Sequence, residues 1–426
     1  MRETRFANFI RAYLMDAQTK TTIPRTAIVH DYLAQAGGAE RVAAALHGLF
    51  PDAPLFTSVY DEKATLAYFR DIDVRTSILQ RWPLSSQRMH KFALPLYPTA
   101  FEHFDFHGYD LVLSSSSSFA KGVITPPETC HICYCHTPAR FAWRQREYLS
   151  QSRRGRLVSL LLRGMLGRLR AWDMESASRP DYYIANSYNV AQRIRKYYRR
   201  DVAAVIPPPI DTERYAPVSP SEVGSHFLVV SRLVGYKRVD LAVEACNRLQ
   251  APLRVIGSGP DLAGLKRIAG PTIEFLGRLP DREVAREFAR CRALIFPGEE
   301  DFGMTPLECM ASGRPVVAFA AGGALETVVD GETGALFPAQ TPDSLASALL
   351  SLDDVAFDPE VLQKHAARFG LSVFNDRMRR FIEGAVDQHQ SRLRTNYGIG
   401  PFSRTGTPGF PAPDDDLFNP FLRASK

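Results

Sequence analysis

The sequence predicts an α/β protein with two doubly wound domains. Short continuous apolar runs alternate with amphipathic helical patterns over most of its 426 residues, which is typical of parallel strands covered by helices on both faces. Both halves also begin with the same pattern, in which an apolar strand is followed by a glycine-containing or basic loop and then by a helix. We expect the two domains to face each other across a cleft, with ligands at the carboxyl ends of the strands.

The first half begins with the strand pattern TAIVH, the pair Gly37-Gly38 and an amphipathic helix. A glycine pair before a helix lets the backbone approach an anion closely, although a tight turn explains it equally well. Five serines at 114–118 follow a predicted strand end and are interpreted as a flexible loop. The further strands predicted in this half are APLFTSVY, YDLVLSSSSS, CHICYCHT and DYYIANS.

The second half begins with the strand pattern SHFLVV, followed by a loop with Arg232 and Lys237 and then a helix. Two cations at a strand end, near the turn Gly257-Ser258-Gly259, can neutralise a diphosphate. A single loop cation is more commonly a solvated charge, so this pattern needs support from other motifs. The further strands predicted here are APLRVIGSG, TIEFLG, RALIFPG and PVVAFA.

A proline-rich connector, VAAVIPPPIDTERYAPVSPSEVGS, marks the predicted domain boundary. We assign residues 22–200 to the first domain and 201–370 to the second. A final helix over 371–392 is expected to pack back on the first domain. Residues 394–426 are rich in proline and glycine and are predicted to be a disordered tail.

The overall composition, with 45% hydrophobic and 23% charged residues, predicts a soluble globular protein. The net charge of +6 favours anionic partners without choosing among them. The N-terminal segment lacks the apolar core of a signal peptide, and no stretch approaches the ~20 apolar residues of a membrane span. We therefore expect a cytoplasmic protein. Because no recognition-helix motif occurs and the arginines are not interleaved with exposed aromatic residues, we expect no nucleic acid partner.

Three cysteines in TCHICYCHTP, together with His131 and His136, have the composition of a metal cluster. Structural zinc sites usually take a second ligand pair from another turn, and none is evident here. The cysteines also lie in an extended apolar run, where free cysteine behaves as a small buried hydrophobe. We predict no metal site and no disulfide framework.

Two glutamates, Glu300 and Glu308, flank a turn and a short helix in PGEEDFGMTPLECMASGRPVVAF. Thr305 at the N-cap, Pro306 at the first helical position and Glu308 three residues after the cap fit a capping box. Capping can therefore account for Glu308, taken alone, without a role in ligand binding. Glu300 lacks such an explanation, because it follows the apolar run CRALIFP, at a strand end where open α/β sheets bind ligands.

This combination resembles the retaining GT-B glycosyltransferases of family 4, which have two Rossmann-like domains facing across a cleft. Within that family it is similar to the bacterial polysaccharide and O-antigen mannosyltransferases. The resemblance covers about residues 25–390 and rests on EDFGMTPLE, with its Glu-x7-Glu spacing, on SRLVGYKR and on YCHTPARFAW.

The resemblance implies a role for each motif residue. Arg232 and Lys237 would bind the donor diphosphate, Glu308 the ribose hydroxyls and Glu300 the sugar, with His136 beside the sugar ring from the opposite domain. The residues implied to be catalytic are Glu300, His136, Arg232 and Lys237. The residues implied to bind the donor are Gly37, Gly38, Arg232, Lys237, Gly257, Glu300, Phe302, Gly303, Met304, Thr305 and Glu308.

The implied reaction is retaining transfer of a hexose onto a growing surface polysaccharide, with no metal cofactor. We expect mannose from GDP-mannose as the donor and a polyprenyl-diphosphate-linked glycan as the acceptor. The alternatives are a UDP-sugar donor, an inactive GT-B protein that binds a nucleotide sugar or glycan, and a nucleotide-sugar epimerase on the same fold.

The segment 153–171, RRGRLVSLLLRGMLGRLRA, is predicted to be a basic amphipathic helix, with Arg156, Arg163 and Arg170 repeating at seven. Two interpretations remain open. The helix can pack on its own sheet, or it can make reversible contact with anionic lipid at the inner face of the cell membrane. Lipid contact would suit a lipid-linked acceptor.

Overall fold

The computed structural model describes residues 24–81, 93–143 and 156–397 of the protein. Contacts divide them into two compact units. The first comprises the described residues up to Pro208 and the chain from Phe374, and the second comprises Pro209–Val373. Each unit contains one sheet whose paired strands all run parallel. The predicted α/β class with two doubly wound sheets is confirmed.

The sheet of the first unit has seven strands in the order β3-β2-β1-β4-β5-β6-β7. The chain builds outward from β1 on one side and then returns to build outward from β4 on the other. The strands are β1 (Thr26–His30), β2 (Leu55–Thr57), β3 (Val74–Thr76), β4 (Leu111–Ser116), β5 (Cys130–Cys135), β6 (Tyr182–Ala185) and β7 (Ala204–Val205). The α-helices up to Pro208 are α1 (Gly38–Leu49), α2 (Tyr97–Glu102), α3 (Arg140–Trp143), α4 (Arg156–Ser176) and α5 (Tyr188–Arg193).

The sheet of the second unit has six strands in the order β10-β9-β8-β11-β12-β13, with the reversal between β8 and β11. The strands are β8 (Phe227–Val230), β9 (Leu253–Ile256), β10 (Ile273–Gly277), β11 (Ala293–Phe296), β12 (Val316–Phe319) and β13 (Gly334–Phe337). The helices from residue 209 onward are α6 (Val239–Leu249), α7 (Leu262–Ile268), α8 (Asp281–Arg290), α9 (Met304–Ala311), α10 (Ala324–Thr327), α11 (Pro342–Leu350), α12 (Pro359–Ala367) and α13 (Leu371–Tyr397).

The boundary between the units lies eight residues later than the predicted start of the second domain, since Pro209 rather than residue 201 opens the second unit. The reason is β7, which pairs with β6 and so belongs to the first sheet. The last helix, α13, continues past the predicted 392 to Tyr397. The rest of the predicted tail, 398–426, lies outside the described residues.

The five serines do not form a flexible loop, because three of them are buried in β4 and the next is held by Asp31. The Ser117 amide and hydroxyl donate to one oxygen of the Asp31 carboxylate at 2.6 and 2.8 Å. The Phe119 and Ala120 amides donate to the other oxygen, both at 2.7 Å. Four donors satisfy a buried carboxylate, and they fix the path of the chain after β4.

The basic helix α4 packs on the first unit along its described side chains. Leu166 and Leu169 are buried in the core beneath the sheet. One turn further on, Asp173 forms a buried ion pair with Lys121 at 2.7 Å and accepts a hydrogen bond from the Trp143 indole at 2.7 Å. The packing interpretation is confirmed for this part of the helix. The side chain of Arg156 lies outside the described part.

Arg163, Arg168 and Arg170 of α4 are exposed. In the portion of the chain that the structure describes, none of the helices is long and apolar enough to cross a membrane.

Candidate functional site

The predicted site residues of the second unit lie at the carboxyl ends of three neighbouring strands. Arg232 and Lys237 follow β8, Gly257 follows β9 and Glu300 follows β11. Because the strand order is β9-β8-β11, the loops that carry these residues emerge side by side at one edge of the sheet. This is the switch point at which open α/β sheets bind ligands.

An ion pair between Lys237 and Glu300 connects the loops after β8 and β11. The two side chains are only 15% and 17% exposed. Arg232 lies in the same loop as Lys237, and its guanidinium donates a hydrogen bond to the Tyr236 hydroxyl at 2.9 Å. The Lys237 ammonium carries three N–H donors, so it can bind Glu300 and an anionic ligand together.

The turn at Gly257 supports the cationic loop by close backbone contact. Gly257 has φ of 141°, and a Cβ atom there would lie 1.8 Å from the Ser231 carbonyl oxygen, so no other residue fits. The Ser231 amide donates to the Ile256 carbonyl at 3.0 Å, and the Leu233 amide donates to the Ser258 carbonyl at 3.0 Å. The loop that carries Arg232 and Lys237 is therefore fixed to its neighbour through main-chain hydrogen bonds.

The capping box predicted around Glu308 is wrong. Helix α9 begins at Met304, and its N-cap is Gly303, which has φ of 91° and makes no side-chain cap bond. Thr305 and Pro306 are therefore the second and third residues of the helix, and Glu308 is the fifth. Glu308 is 8% exposed. Helix capping therefore does not explain why the Glu308 side chain is buried.

The segment between the two glutamates brings a helix N-terminus to the same edge of the sheet. Phe302 is buried in the core against Phe369, with ring centroids 5.8 Å apart. Met304 and Thr305 are half-buried in the first turn of α9, where amide groups have no partner within the helix and carry partial positive charge. The Glu300 carbonyl accepts a hydrogen bond from Gly323 at 2.9 Å, which joins the loops after β11 and β12.

The predicted residues of the first unit lie after β1 and β5. Helix α1 begins at Gly38, and the Gly37 amide donates to the Glu40 carboxylate at 2.9 Å. His136 follows β5, and its Nε2 lies 2.8 Å from the Ser115 hydroxyl. Burial, with a smaller Coulombic contribution from His30, lowers the pKa of His136 to about 3. His136 is therefore neutral at pH 7.

Four buried polar residues of the first unit were missed at the sequence level, namely His30, Asp31, Glu40 and Ser115. The signal was present in part, because His30 ends a largely apolar strand and Asp31 follows it directly, and polar residues are seldom fully buried without partners. Their partners lie far away in the chain. Ser115 is 85 residues from His30 and Ser117 is 86 residues from Asp31.

The histidines and cysteines of the segment TCHICYCHTP are all buried. His131 and His136 lie against the hydroxyls of Ser114 and Ser115, each at 2.8 Å. All six cysteines are free and buried.

Within the described ranges, one other group offers three potential metal ligands: Cys130, Asp181 and His389, with ligand atoms within 4.8 Å of one another. Cys130 begins β5, whereas His136 follows its end, so this group lies at the opposite edge of the sheet from His136.

Comparison with known proteins identifies the family. A model described as Glycosyltransferase Family 4 matches residues 36–214, and a model described as Glycosyl transferases group 1 matches residues 224–354. The chain belongs to the family 4 glycosyltransferases. The crystal structure of Anabaena HepE in complex with UDP and glucose is similar, with a TM-score of 0.64 and 19% identity over 85% of this chain and all of that chain. This confirms the GT-B fold.

Two curated relatives of this glycosyltransferase are mannosyltransferases. A GDP-mannose-dependent α-(1-6)-phosphatidylinositol monomannoside mannosyltransferase from Mycolicibacterium smegmatis is 29% identical over 44% of this chain and 57% of the relative. The match thus spans little more than half the length of that enzyme. The α-1,3/1,6-mannosyltransferase alg2 from Schizosaccharomyces pombe is 25% identical over 76% of this chain and 72% of the relative.

The diphosphate assignment predicts a large effect of removing either cation. If the assignment holds, Arg232→Ala and Lys237→Ala should each lower turnover by about 10²-fold, because each would remove a group that stabilises charge on the leaving diphosphate. Steady-state kinetics with the preferred donor measures this. Arg248→Ala is the control, since Arg248 forms an exposed ion pair with Asp343 in the same unit. Turnover close to wild type in both cation variants would show that they do not bind the diphosphate.

Substitutions of Glu308 and Glu300 are expected to have different effects on donor binding and turnover. Glu308→Gln should change the melting temperature little, because it keeps the size and an accepting oxygen of the side chain, but should weaken donor binding by roughly tenfold through loss of charged hydrogen bonds. Glu300→Gln should mainly lower turnover. Calorimetric titration with the nucleotide sugar and thermal unfolding separate the two. The ribose assignment is wrong if Glu308→Gln binds donor normally and Glu308→Ala only lowers the melting temperature.

Proposed function

We propose that this glycosyltransferase is a retaining mannosyltransferase that transfers mannose from GDP-mannose to a lipid-linked oligosaccharide. The observation that carries the proposal is the Lys237–Glu300 ion pair at the switch point of the second sheet. It holds a cation for a diphosphate beside a carboxylate for sugar hydroxyls. Buried Glu308, eight residues further on, supplies a second carboxylate for the ribose.

The choice of donor rests on the relatives. The mycobacterial relative is described as GDP-mannose-dependent, and alg2 is also a mannosyltransferase. A UDP-sugar donor is the second candidate, because the structural neighbour HepE was crystallised with UDP and glucose. At 19% identity, HepE supports the fold of this chain. It does not identify the nucleotide base or the sugar of the donor.

The proposed reaction needs no metal ion. The bond between the anomeric carbon and the diphosphate oxygen breaks, and Arg232 and Lys237 stabilise the negative charge that develops on that oxygen. Glu300 accepts hydrogen bonds from sugar hydroxyls and orients the ring. The acceptor hydroxyl attacks from the face that the diphosphate leaves, and its proton passes to the leaving phosphate oxygen. The anomeric configuration is thereby retained.

A lipid-linked acceptor is proposed from two features. The mycobacterial relative acts on a phosphatidylinositol mannoside, which is a lipid-anchored acceptor. Helix α4 exposes Arg163, Arg168 and Arg170 on its surface outside the core. Cations near an anionic membrane surface each contribute about 1 kcal/mol to binding. We propose that this surface makes peripheral contact with the membrane that holds a polyprenyl-diphosphate glycan.

A donor screen tests the proposed reaction. We expect GDP-mannose to raise the melting temperature most among GDP-mannose, UDP-glucose, UDP-galactose and UDP-N-acetylglucosamine, and to be hydrolysed slowly without acceptor. Hydrolysis should continue in EDTA, because side chains supply the positive charge. The transferred mannose should keep the α configuration, which NMR of the product shows.

Other outcomes of this screen select an alternative. Stabilisation by a UDP-sugar alone identifies the other donor class. Binding without hydrolysis or transfer indicates an inactive scaffold, and an epimerised sugar released without acceptor indicates an epimerase.

Membrane contact predicts that Arg163→Glu combined with Arg170→Glu reduces sedimentation with anionic vesicles by more than tenfold, because each reversal replaces attraction with repulsion. Donor hydrolysis in solution should be unchanged. The control variant carries Arg267→Glu and Arg282→Glu, which change the net charge equally at exposed positions of the second unit. Wild-type protein that does not sediment at low salt would contradict the membrane proposal.

A further inference from the structure

A line of buried polar contacts joins the glycine loop to His136 in the first unit. The Gly37 amide donates to the Glu40 carboxylate at 2.9 Å, and the other oxygen of that carboxylate lies 3.8 Å from His30 Nε2. His30 Nδ1 lies 3.1 Å from the Ser115 hydroxyl oxygen, which lies 2.8 Å from His136 Nε2. Each of these side chains is at least nine-tenths buried.

The sheet topology produces this line. His30 and Ser115 are directly paired residues on the adjacent strands β1 and β4. His136 is the first residue after β5, the next strand of the sheet. Side chains of neighbouring parallel strands in register point to the same face, so the imidazole, the hydroxyl and the second imidazole meet there. Glu40 reaches His30 from the first turn of α1.

The Ser115 hydroxyl constrains the protons of both imidazoles. It has one hydrogen, so it can donate to one of the two ring nitrogens that contact it and must accept from the other. The Glu40 carboxylate favours a proton on His30 Nε2, the nitrogen that faces it. With His30 Nδ1 as the acceptor of the Ser115 hydroxyl hydrogen, His136 donates to Ser115 through Nε2–H. His136 Nδ1 is left with its lone pair.

We propose that Glu40, His30 and Ser115 are positioning residues that fix the tautomer of His136, so that its Nδ1 accepts a hydrogen bond from a sugar hydroxyl. The inference rests on the proposed function for the identity of that hydroxyl. The tautomer itself depends only on contacts within the first unit.

Two further observations support this role. Burial lowers the pKa of His136 to about 3, so the ring is neutral and one of its nitrogens must be an acceptor. Glu40 also holds the Gly37 amide, so the same carboxylate orders the glycine loop and the histidine. Substitution of Glu40 should therefore affect both the glycine loop and His136, whereas substitution of Ser115 should affect His136 but not the glycine loop.

The first experiment observes the tautomer directly. Protein labelled with ¹⁵N in the histidine rings gives long-range ¹H–¹⁵N correlations that distinguish protonated from bare ring nitrogens, with His136 assigned from the missing signals of His136→Gln. We expect Nε2 to be protonated and Nδ1 to be bare in the wild type. In Ser115→Ala we expect a mixture of tautomers. A wild-type His136 protonated on Nδ1, or a tautomer unchanged in Ser115→Ala, would overturn the proposal.

The second experiment uses a matched pair of serines. Ser114 precedes Ser115 on β4, is equally buried, and lies 2.8 Å from Nε2 of His131, whose pKa burial also lowers to about 3. Ser115→Ala should lower kcat by about tenfold, as loss of a partner that orients a functional histidine commonly does. Ser114→Ala removes the same kind of contact and should leave kcat unchanged at a similar melting temperature. Equal losses of kcat in both variants would indicate that the contact between Ser115 and His136 has only a structural role.

Glu40→Gln completes the design, because the amide oxygen can still accept from Gly37 while the charge facing His30 is lost. We expect the His136 tautomer to become mixed and kcat to fall about as far as in Ser115→Ala; a wild-type tautomer in this variant would remove Glu40 from the role. If the wild type transfers sugar from none of the donors tested, the proposed function fails. The ring spectra still decide whether the tautomer is fixed.

Discussion

The parallel order of the two sheets, each with one reversal, determines where the chemistry of this protein lies. Every paired strand runs in the same direction within its sheet, so the loops at the carboxyl ends gather at one edge. In the second unit the reversal lies between β8 and β11, and the loops after these two strands carry Lys237 and Glu300. In the first unit it lies between β1 and β4, which carry His30 and Ser115. The switch point thus separates the helical crossovers and leaves room for polar side chains.

Buried charge at these edges is balanced by several donors at once. Asp31 receives two amides on one oxygen and an amide and a hydroxyl on the other. Asp173 combines an ion pair to Lys121 with hydrogen bonds from Trp143 and Tyr198. An isolated buried carboxylate would cost several kcal/mol. Each network also joins distant segments, so the same contacts that satisfy the charge order the loop after β4 and dock helix α4.

Sequence patterns located the strands that carry a continuous apolar run, and they missed β3, β7 and β13. Strands β3 and β7 are short edge strands with half-buried or exposed side chains, and β13 is an edge strand with two half-buried positions. An edge strand is covered on fewer sides and does not need an apolar run. Missing β7 displaced the predicted domain boundary.

The errors at the site have a common cause in contacts that local patterns do not contain. The capping box failed because Gly303 adopts a left-handed conformation and starts α9 before Thr305. The five serines were misjudged because the partner of Ser117 is Asp31, in the loop after another strand. The motifs EDFGMTPLE and SRLVGYKR did lead to loops that the fold brings together, because the Lys237–Glu300 contact joins them. Motif spacing indicated which loops matter, and the tertiary partners decide how each side chain is held.

The two units supply different kinds of polar group, and this difference follows from burial. In the second unit Lys237 and Glu300 remain partly exposed and meet as an ion pair, so full charges are kept at the edge without complete desolvation. In the first unit His136 is buried, and its neutral ring offers one donor and one acceptor rather than a charge. The proposed roles use this difference, with the full positive charge of Lys237 for a diphosphate and the directional neutral ring of His136 for a sugar hydroxyl. Because fixed groups require little reorganisation during a reaction, holding Lys237 by Glu300 and His136 by Ser115 would favour the proposed catalysis in the same way in both units.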